Sequence, residues 1–134
     1  MFSVIPTNGQ TWLICGGRDF ADQDMFDNAM SDLVHALGMP TKIIHGSCRD
    51  QDGEETGADG MATQWAIRHA ASIQQFPADW KAHGKAAGPI RNQEMLDKGR
   101  PKFVVAFPGG RGTADMVAKA RKAKIDVAEI KPNE

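Results

Sequence analysis

Thr11-Trp12-Leu13-Ile14-Cys15-Gly16-Gly17-Arg18-Asp19-Phe20 and Phe103-Val104-Val105-Ala106-Phe107-Pro108-Gly109-Gly110-Arg111-Gly112-Thr113 decide the fold. Each is a short β-rich apolar run that enters a glycine turn directly and is followed by a stretch of helical period, so each reads as a strand, loop and helix unit. Outward from this pair, strands are expected at Thr11–Cys15, Lys42–His45, Ser72–Phe76, Phe103–Phe107 and Asp126–Ile130. Between the first two, Phe26, Ala29, Met30, Leu33, Val34 and Leu37 recur three and four apart and form the apolar face of a helix that Gly38 and Pro40 end. Further helices are expected from Ala58 to Ala71, with Met61, Ala62, Trp65, Ala66 and His69 on one side, from Pro89 to Lys98, and from Thr113 to Ala123. Strands alternating with helices, joined by connections long enough for crossovers, imply an α/β fold: a three-layer open parallel sheet of about five strands with flanking helices.

Composition bounds the rest. A chain of 134 residues is one domain's worth of sequence, and 41% hydrophobic with 25% charged residues is a globular balance. Sixteen Lys and Arg against 17 Asp and Glu give a net charge of -1, so no global field draws nucleic acid or an acidic membrane, and any anion site must be local. No apolar run reaches the ~20 residues that span a bilayer, and no basic start with an apolar stretch marks a secretory signal, which places the protein in the cytoplasm. Cys15 and Cys48 form no C-x-x-C and are read as reduced thiols.

Glycine lets the backbone approach a ligand closely, and the free N–H groups at the start of the following helix favour an anion. Both glycine loops therefore suit phosphate, although each could equally be a tight turn. In an open parallel sheet, ligands bind beyond the carboxyl ends of the strands where the winding reverses. If strands one and four are neighbours, the two loops face one crevice.

Other polar residues gather at the same strand ends. In Cys48–Thr56, an acidic stretch, Asp50, Asp52, Glu54 and Glu55 lack the spacing of a calcium loop and are read as solvated charges. Thr56 and Asp59 flank Gly57 at a helix start, where Thr56 suits a cap and Asp59 the exposed N–H groups of the first turn. His45 and Cys48 make an isolated H-x-x-C, read as a strand-end histidine rather than zinc, so neither metal nor cofactor is expected. His35 and His83 are read as surface residues and His69 as a helix-face histidine. Pro89 suits the first position of a helix, which puts Arg91 and Asn92 in its first turn. A cation there opposes the helix dipole, so Arg91 is expected to have an anionic partner, either an Asp of the protein or a ligand phosphate. Trp80 suits core packing or the cover of a nucleobase.

Gly16-Gly17-Arg18-Asp19-Phe20, Gly57-Ala58-Asp59 with Trp65-Ala66, Phe76-Pro77-Ala78-Asp79-Trp80, Gly84 through Asn92 with Met95, and Ala106 through Ala114 occur in this order over residues 11–130. In these the chain resembles the YspA/YpsA-related branch of the SLOG superfamily. The resemblance implies a Rossmann-like fold that binds nucleotides or nucleotide-derived ligands, in some members as signals in phage and bacterial conflict. The chain is more distantly similar to the LOG or lysine decarboxylase-like phosphoribohydrolases, which cleave the N-glycosidic bond of nucleoside 5'-monophosphates and carry P-G-G-x-G-T-x-x-E after an R-K-x-x-M helix. Pro108, Gly109, Gly110, Gly112 and Thr113 match that loop, and Arg91 with Met95 matches the helix. Met116 stands at the glutamate position, and Asp115, one residue earlier, lies about 100° around the helix.

The expected site is thus a small-molecule nucleotide pocket. Pro108, Gly109, Gly110, Arg111, Gly112 and Thr113 would cradle phosphate, Gly16, Gly17, Arg18 and Gly57 would form a second wall, and Arg91 and Asn92 would hold phosphate or ribose. Glycosidic hydrolysis would need a carboxylate near the ribose, for which Asp59, Asp79 and Asp115 are candidates beside Arg91. Binding without chemistry, as a sensor or sequestering protein, is the leading expectation. Hydrolysis is the alternative, and single-stranded nucleic acid binding a second alternative against which the neutral charge argues. The LOG resemblance also implies a homodimer.

Overall fold

The structure, a computed structural model, describes residues 10–132. Its elements follow in the order β1 (Thr11–Cys15), α1 (Gln23–Leu37), β2 (Lys42–His45), α2 (Gly57–Arg68), β3 (Ser72–Gln75), α3 (Trp80–His83), a 3-10 turn (Gly84–Ala86), α4 (Ala87–Gly99), β4 (Phe103–Ala106), α5 (Arg111–Lys122) and β5 (Asp126–Glu129). The strands form one parallel five-stranded sheet in the order β3-β2-β1-β4-β5. It is open at both edges, an α/β Rossmann-like arrangement.

The alternation of side chains along β1 builds both faces of the sheet. Trp12 and Ile14 point into one core, with Ile43, Val105 and Phe107, where α1 and α2 bring Phe26, Met30, Ala62, Trp65 and Ala66. Leu13 and Cys15 point into the other, with Ile44, Val104 and Ala106, where α4 and α5 bring Met95, Leu96, Met116, Val117 and Ala120. Strands covered on both faces read as unbroken apolar runs, which is why TWLIC and FVVA are legible.

The chain winds outward from β1 through β2 to β3, then returns to place β4 against the other side of β1. Trp12 pairs with Phe103 and Cys15 with Ala106, so the two glycine loops leave the sheet side by side. This is where the winding reverses and where such sheets open a crevice.

Several expected boundaries shift. The last three strands each end one residue early, at Gln75, Ala106 and Glu129. Helix α2 stops at Arg68 rather than Ala71, because Ala70 takes a left-handed φ of 57°. Leu37, the last residue of α1, is exposed rather than packed, since Gly38 at φ 94° turns the chain there. Pro89 is the third residue of α4, not the first, so Arg91 falls in the second turn. The added turn comes from the helical segment Trp80–Ala86 that feeds straight into α4.

Candidate functional site

The glycine loops touch. Gly17 N–H donates to Pro108 O (2.9 Å), and Phe107 N–H to Cys15 O (2.8 Å). A Cβ on Gly17 would lie a tight 3.1 Å from Gly109 Cα, and one on Gly109 would strike Thr113 Oγ1 and Gly17 N, so the contact requires glycine at 109 and leaves little room for a side chain at 17. Gly57, at φ 64°, lies beneath Gly17 and Arg18, whose carbonyl oxygens occupy the space a side chain would need. Pro108, Gly109 and Gly57 therefore brace the loops and do not line the crevice.

The crevice itself has a volume of about 430 Å³. Gly16, Gly17, Arg18, Asp59, Arg91, Asn92, Gly110, Arg111, Gly112, Thr113 and Asp115 all line it, so most of the expected site residues meet in one place. Asp79 does not: its carboxylate accepts the Ala82 N–H (3.0 Å) and caps α3. Cys15, Gly46, Cys48, Lys85, Gly88, Pro89 and Met95 also line the crevice, although none was among the expected site residues. Gly46 and Cys48 follow β2, whose carboxyl end abuts the same opening, a signal the strand order makes readable in retrospect.

Helix α5 starts at Arg111 with Gly110 as its cap, and its first bond runs from Ala114 N–H to Gly110 O (3.0 Å). The N–H groups of Arg111, Gly112 and Thr113 thus have no acceptor within the helix, and together with the helix dipole they favour an anion. Cβ atoms on Gly110 and Gly112 would meet nothing within 4 Å. Neither glycine is required by packing or by a positive φ, and each leaves free space at the helix start.

Arg91 has partners, but none is a carboxylate. Its Nη1 donates to Gly46 O (2.6 Å) and Phe76 O (3.3 Å), and its Nε to Asn92 Oδ1 (3.0 Å). Of the two expected anionic partners, an Asp of the protein is absent: carbonyl dipoles stand in its place, because Gly46 has no side chain to keep the guanidinium away. Nη2 makes no hydrogen bond among the described residues. Asn92, buried, passes its Nδ2 hydrogens to Gly112 O (3.1 Å) and Asp115 Oδ2 (3.0 Å), tying α4 to the first turns of α5. The other Asp115 oxygen accepts from Lys119 Nζ (2.5 Å). Met116 faces away from the crevice and is fully buried.

Asp59 is 6% exposed, so it is no solvated first-turn carboxylate. Its Oδ2 accepts the Cys48 N–H (2.9 Å), while Oδ1 has no partner among the described residues. Burial pushes its pKa up, against the pull of His45, the Cys48 N–H and Arg91. Thr56 occupies the cap position of α2 without capping it: its hydroxyl turns to Arg18 O (3.4 Å). Cys15 lies at the crevice wall with its thiol pushed up to about 12 by burial, far from a reactive thiolate.

The acidic segment is ordered by its own carboxylates. Asp50 accepts the N–H groups of Asp52 (2.9 Å) and Glu54 (3.0 Å), and Arg49 bridges to Glu55 across the turn. Glu55 takes hydrogen bonds from Ser47 Oγ (2.9 Å), Thr63 Oγ1 (2.5 Å) and Gln75 Nε2. Burial is the largest single influence and opposes its ionisation, but the Thr63 and Ser47 hydroxyls together with His45 and Arg49 outweigh it and hold its pKa below the ordinary value. His45, fully buried, accepts the Ser47 N–H at Nδ1 (2.9 Å), which assigns the proton to Nε2 beside Thr63 Oγ1 (2.7 Å). This network fixes Gly46 O against Arg91 and Cys48 N–H against Asp59.

Cations outnumber carboxylates around the crevice. Arg18, Lys85 and Arg111 are exposed around an opening whose carboxylates are Asp59 and Asp115. Trp80, also on the wall, is 55% exposed, so it is not a core residue. Among the described residues no helix is long and apolar enough to cross a membrane, and no group of three or more His, Cys, Asp or Glu is placed to hold a metal ion.

Two comparisons with known proteins bear on this arrangement. The family model described as YspA, cpYpsA-related SLOG matches residues 13–83, from β1 through α3. The Gene 61 protein of Mycobacterium phage D29 is 35% identical over 122 residues, an alignment that covers 86% of this chain and 91% of the phage protein. With more than half its length matched by the one and most of it by the other, the chain belongs to the YspA, cpYpsA-related SLOG family.

Proposed function

We propose that the chain binds a nucleotide or nucleotide-derived ligand in the crevice between the glycine loops and acts as a sensor or sequestering protein. The observation that carries this reading is the amino end of α5, where unpaired N–H groups open onto free space left by Gly110 and Gly112. The phosphate sits there, flanked by Arg111 and the Thr113 hydroxyl, with Arg18 on the facing loop. The free Nη2 of Arg91 and the free oxygen of Asp59 are the polar groups left for ribose or phosphate. SLOG membership supports a nucleotide-related ligand, and a phage-encoded relative suits a role in phage and bacterial conflict. A homodimer follows from the LOG resemblance alone.

Binding is favoured over hydrolysis because the position that carries glutamate in the phosphoribohydrolases is Met116, buried in the core. One observation keeps hydrolysis as a second reading: Asp59, with its raised pKa and free oxygen, suits an acid that protonates a departing base. Incubation with nucleoside mono-, di- and triphosphates, NAD, ADP-ribose and cyclic nucleotides, followed by chromatography, separates the two. Retention of an intact nucleotide supports the sensor. Base release that disappears in Asp59→Asn establishes the hydrolase, and neither retention nor release defeats both.

A further inference from the structure

Two of the three tryptophans are core residues: Trp12 is 0% exposed and Trp65 4%. Trp80 is 55% exposed, and among the described residues it stacks on no other ring. An indole is the largest apolar side chain, and leaving one in water at a crevice wall forgoes burial that the fold gains from the other two.

The indole is held in place. Asp79 caps the turn that carries it, Gly84 at φ 56° turns the chain into the 3-10 segment, and that segment runs directly into α4. The indole lies against the first turn of α4: a Cβ on Gly88 would sit 3.5 Å from Trp80 Cη2, at ordinary contact distance. Trp80 and the amino end of α5 line the same cavity. Lys85, in the 3-10 turn, stands on the same wall as Trp80.

We infer that Trp80 is the base platform of the crevice: its exposed indole stacks on the nucleobase of a nucleoside phosphate whose phosphate lies at the amino end of α5. The inference rests on the nucleotide reading above and deepens it: Trp80 supplies the contact that selects nucleotides over sugar phosphates. Stacking on an aromatic ring tolerates any base, because every base has a π-face. Discrimination among the four bases is then weak, and discrimination against a ligand without a base is strong.

The test uses the full chain, Trp80→Ala and Trp80→Phe with AMP, GMP, CMP, UMP, ribose 5-phosphate and inorganic phosphate. Affinity is read by calorimetry and the indole by intrinsic fluorescence, which Trp80 reports as the exposed tryptophan. The expected result is tight binding of the nucleotides with quenching, and weaker binding of ribose 5-phosphate without it. Trp80→Ala lowers nucleotide affinity about tenfold or more, to the level of ribose 5-phosphate, whose own affinity is unchanged, and Trp80→Phe recovers part of the loss. Equal affinity for AMP and ribose 5-phosphate in the unaltered chain overturns the platform and leaves the phosphate reading standing. So does a Trp80→Ala variant that loses both ligands alike. Absence of binding by every ligand defeats the phosphate reading and the platform together.

Discussion

Asp115 and Met116 are adjacent in sequence and face different sides of α5: Asp115 lines the crevice and hydrogen-bonds Asn92, while Met116 is fully buried between α5 and the sheet. The step of about 100° per helical residue separates them, so a carboxylate at position 116 does not reach the crevice. Asp115 reaches it, but both of its oxygens are committed, one to Asn92 and one to Lys119.

Restoring the glutamate of the phosphoribohydrolases is therefore expected to fail. Met116→Glu places an unpaired charge in the core of Leu13, Val104 and Val117, at a cost of about 3 kcal/mol or more. Thermal denaturation should show a large fall in melting temperature, and chromatography no gain in base release.

The glycines divide into two kinds with opposite outcomes. Gly57→Ala puts a side chain at φ 64° against the carbonyls of Gly17 and Arg18, and should destabilise the fold by about 1 kcal/mol or more. Gly112→Ser, in open space at the helix start, should leave the denaturation curve near that of the unaltered chain while weakening nucleotide binding. Denaturant titration beside a binding isotherm checks both.

Arg91→Lys should behave as a loss rather than a conservative change. The guanidinium reaches Gly46 O, Phe76 O and Asn92 Oδ1 at once, and a lysine ammonium cannot reproduce that fork. A loss of about 1–3 kcal/mol in stability is expected, together with nucleotide binding.

His45 and Asp59 should give opposing pH dependences of stability. His45 is buried with its pKa lowered, mainly by desolvation, and the charged groups facing it are Asp59, Glu55, Arg49 and Arg91. Below its ordinary value of 6.5 the unfolded chain binds its proton more readily, so stability falls as pH drops from there toward the folded pKa. Asp59 runs the other way. Its folded pKa is raised above 3.8, so the folded state holds the extra proton between those values and stability falls as pH rises through that window. Asp59→Asn keeps an acceptor for the Cys48 N–H and removes the charge. Its melting temperature should exceed that of the unaltered chain at neutral pH, and the difference should shrink toward pH ~4.

Much of this was legible in the residues and some was not, for physical reasons. The sheet and its main helices follow from TWLIC, KIIH and FVVA and from the spacing of Phe26, Met30, Leu33 and Val34, because strands covered on both faces and helices covered on one leave distinct periods. The meeting of the glycine loops needed only the adjacency of β1 and β4, which the structure supplies. Arg91 was marked by its position but not by its partners, since Gly46 and Phe76 are 45 and 15 residues away and offer backbone carbonyls that any residue carries. Trp80–His83 is too short to show a period, although Asp79 three residues ahead of Ala82 is a capping signal that locates it. Asp79 itself was legible as polar and near the crevice in sequence; which N–H it would accept was not.

The claim on which the rest depends is that the ligand's phosphate occupies the space left by Gly110 at the start of α5. The direct measurement is the melting temperature of the unaltered chain and of Gly110→Trp, each alone and with nucleoside monophosphates. Open space at the Gly110 Cβ gives the new side chain room, and each ligand-induced shift is read against that protein's own apo melting temperature. The unaltered chain should then gain melting temperature with nucleotide by mass action and the variant should not. Equal stabilisation of both proteins would contradict the account, because a ligand that tolerates an indole at that position does not lie at the amino end of α5.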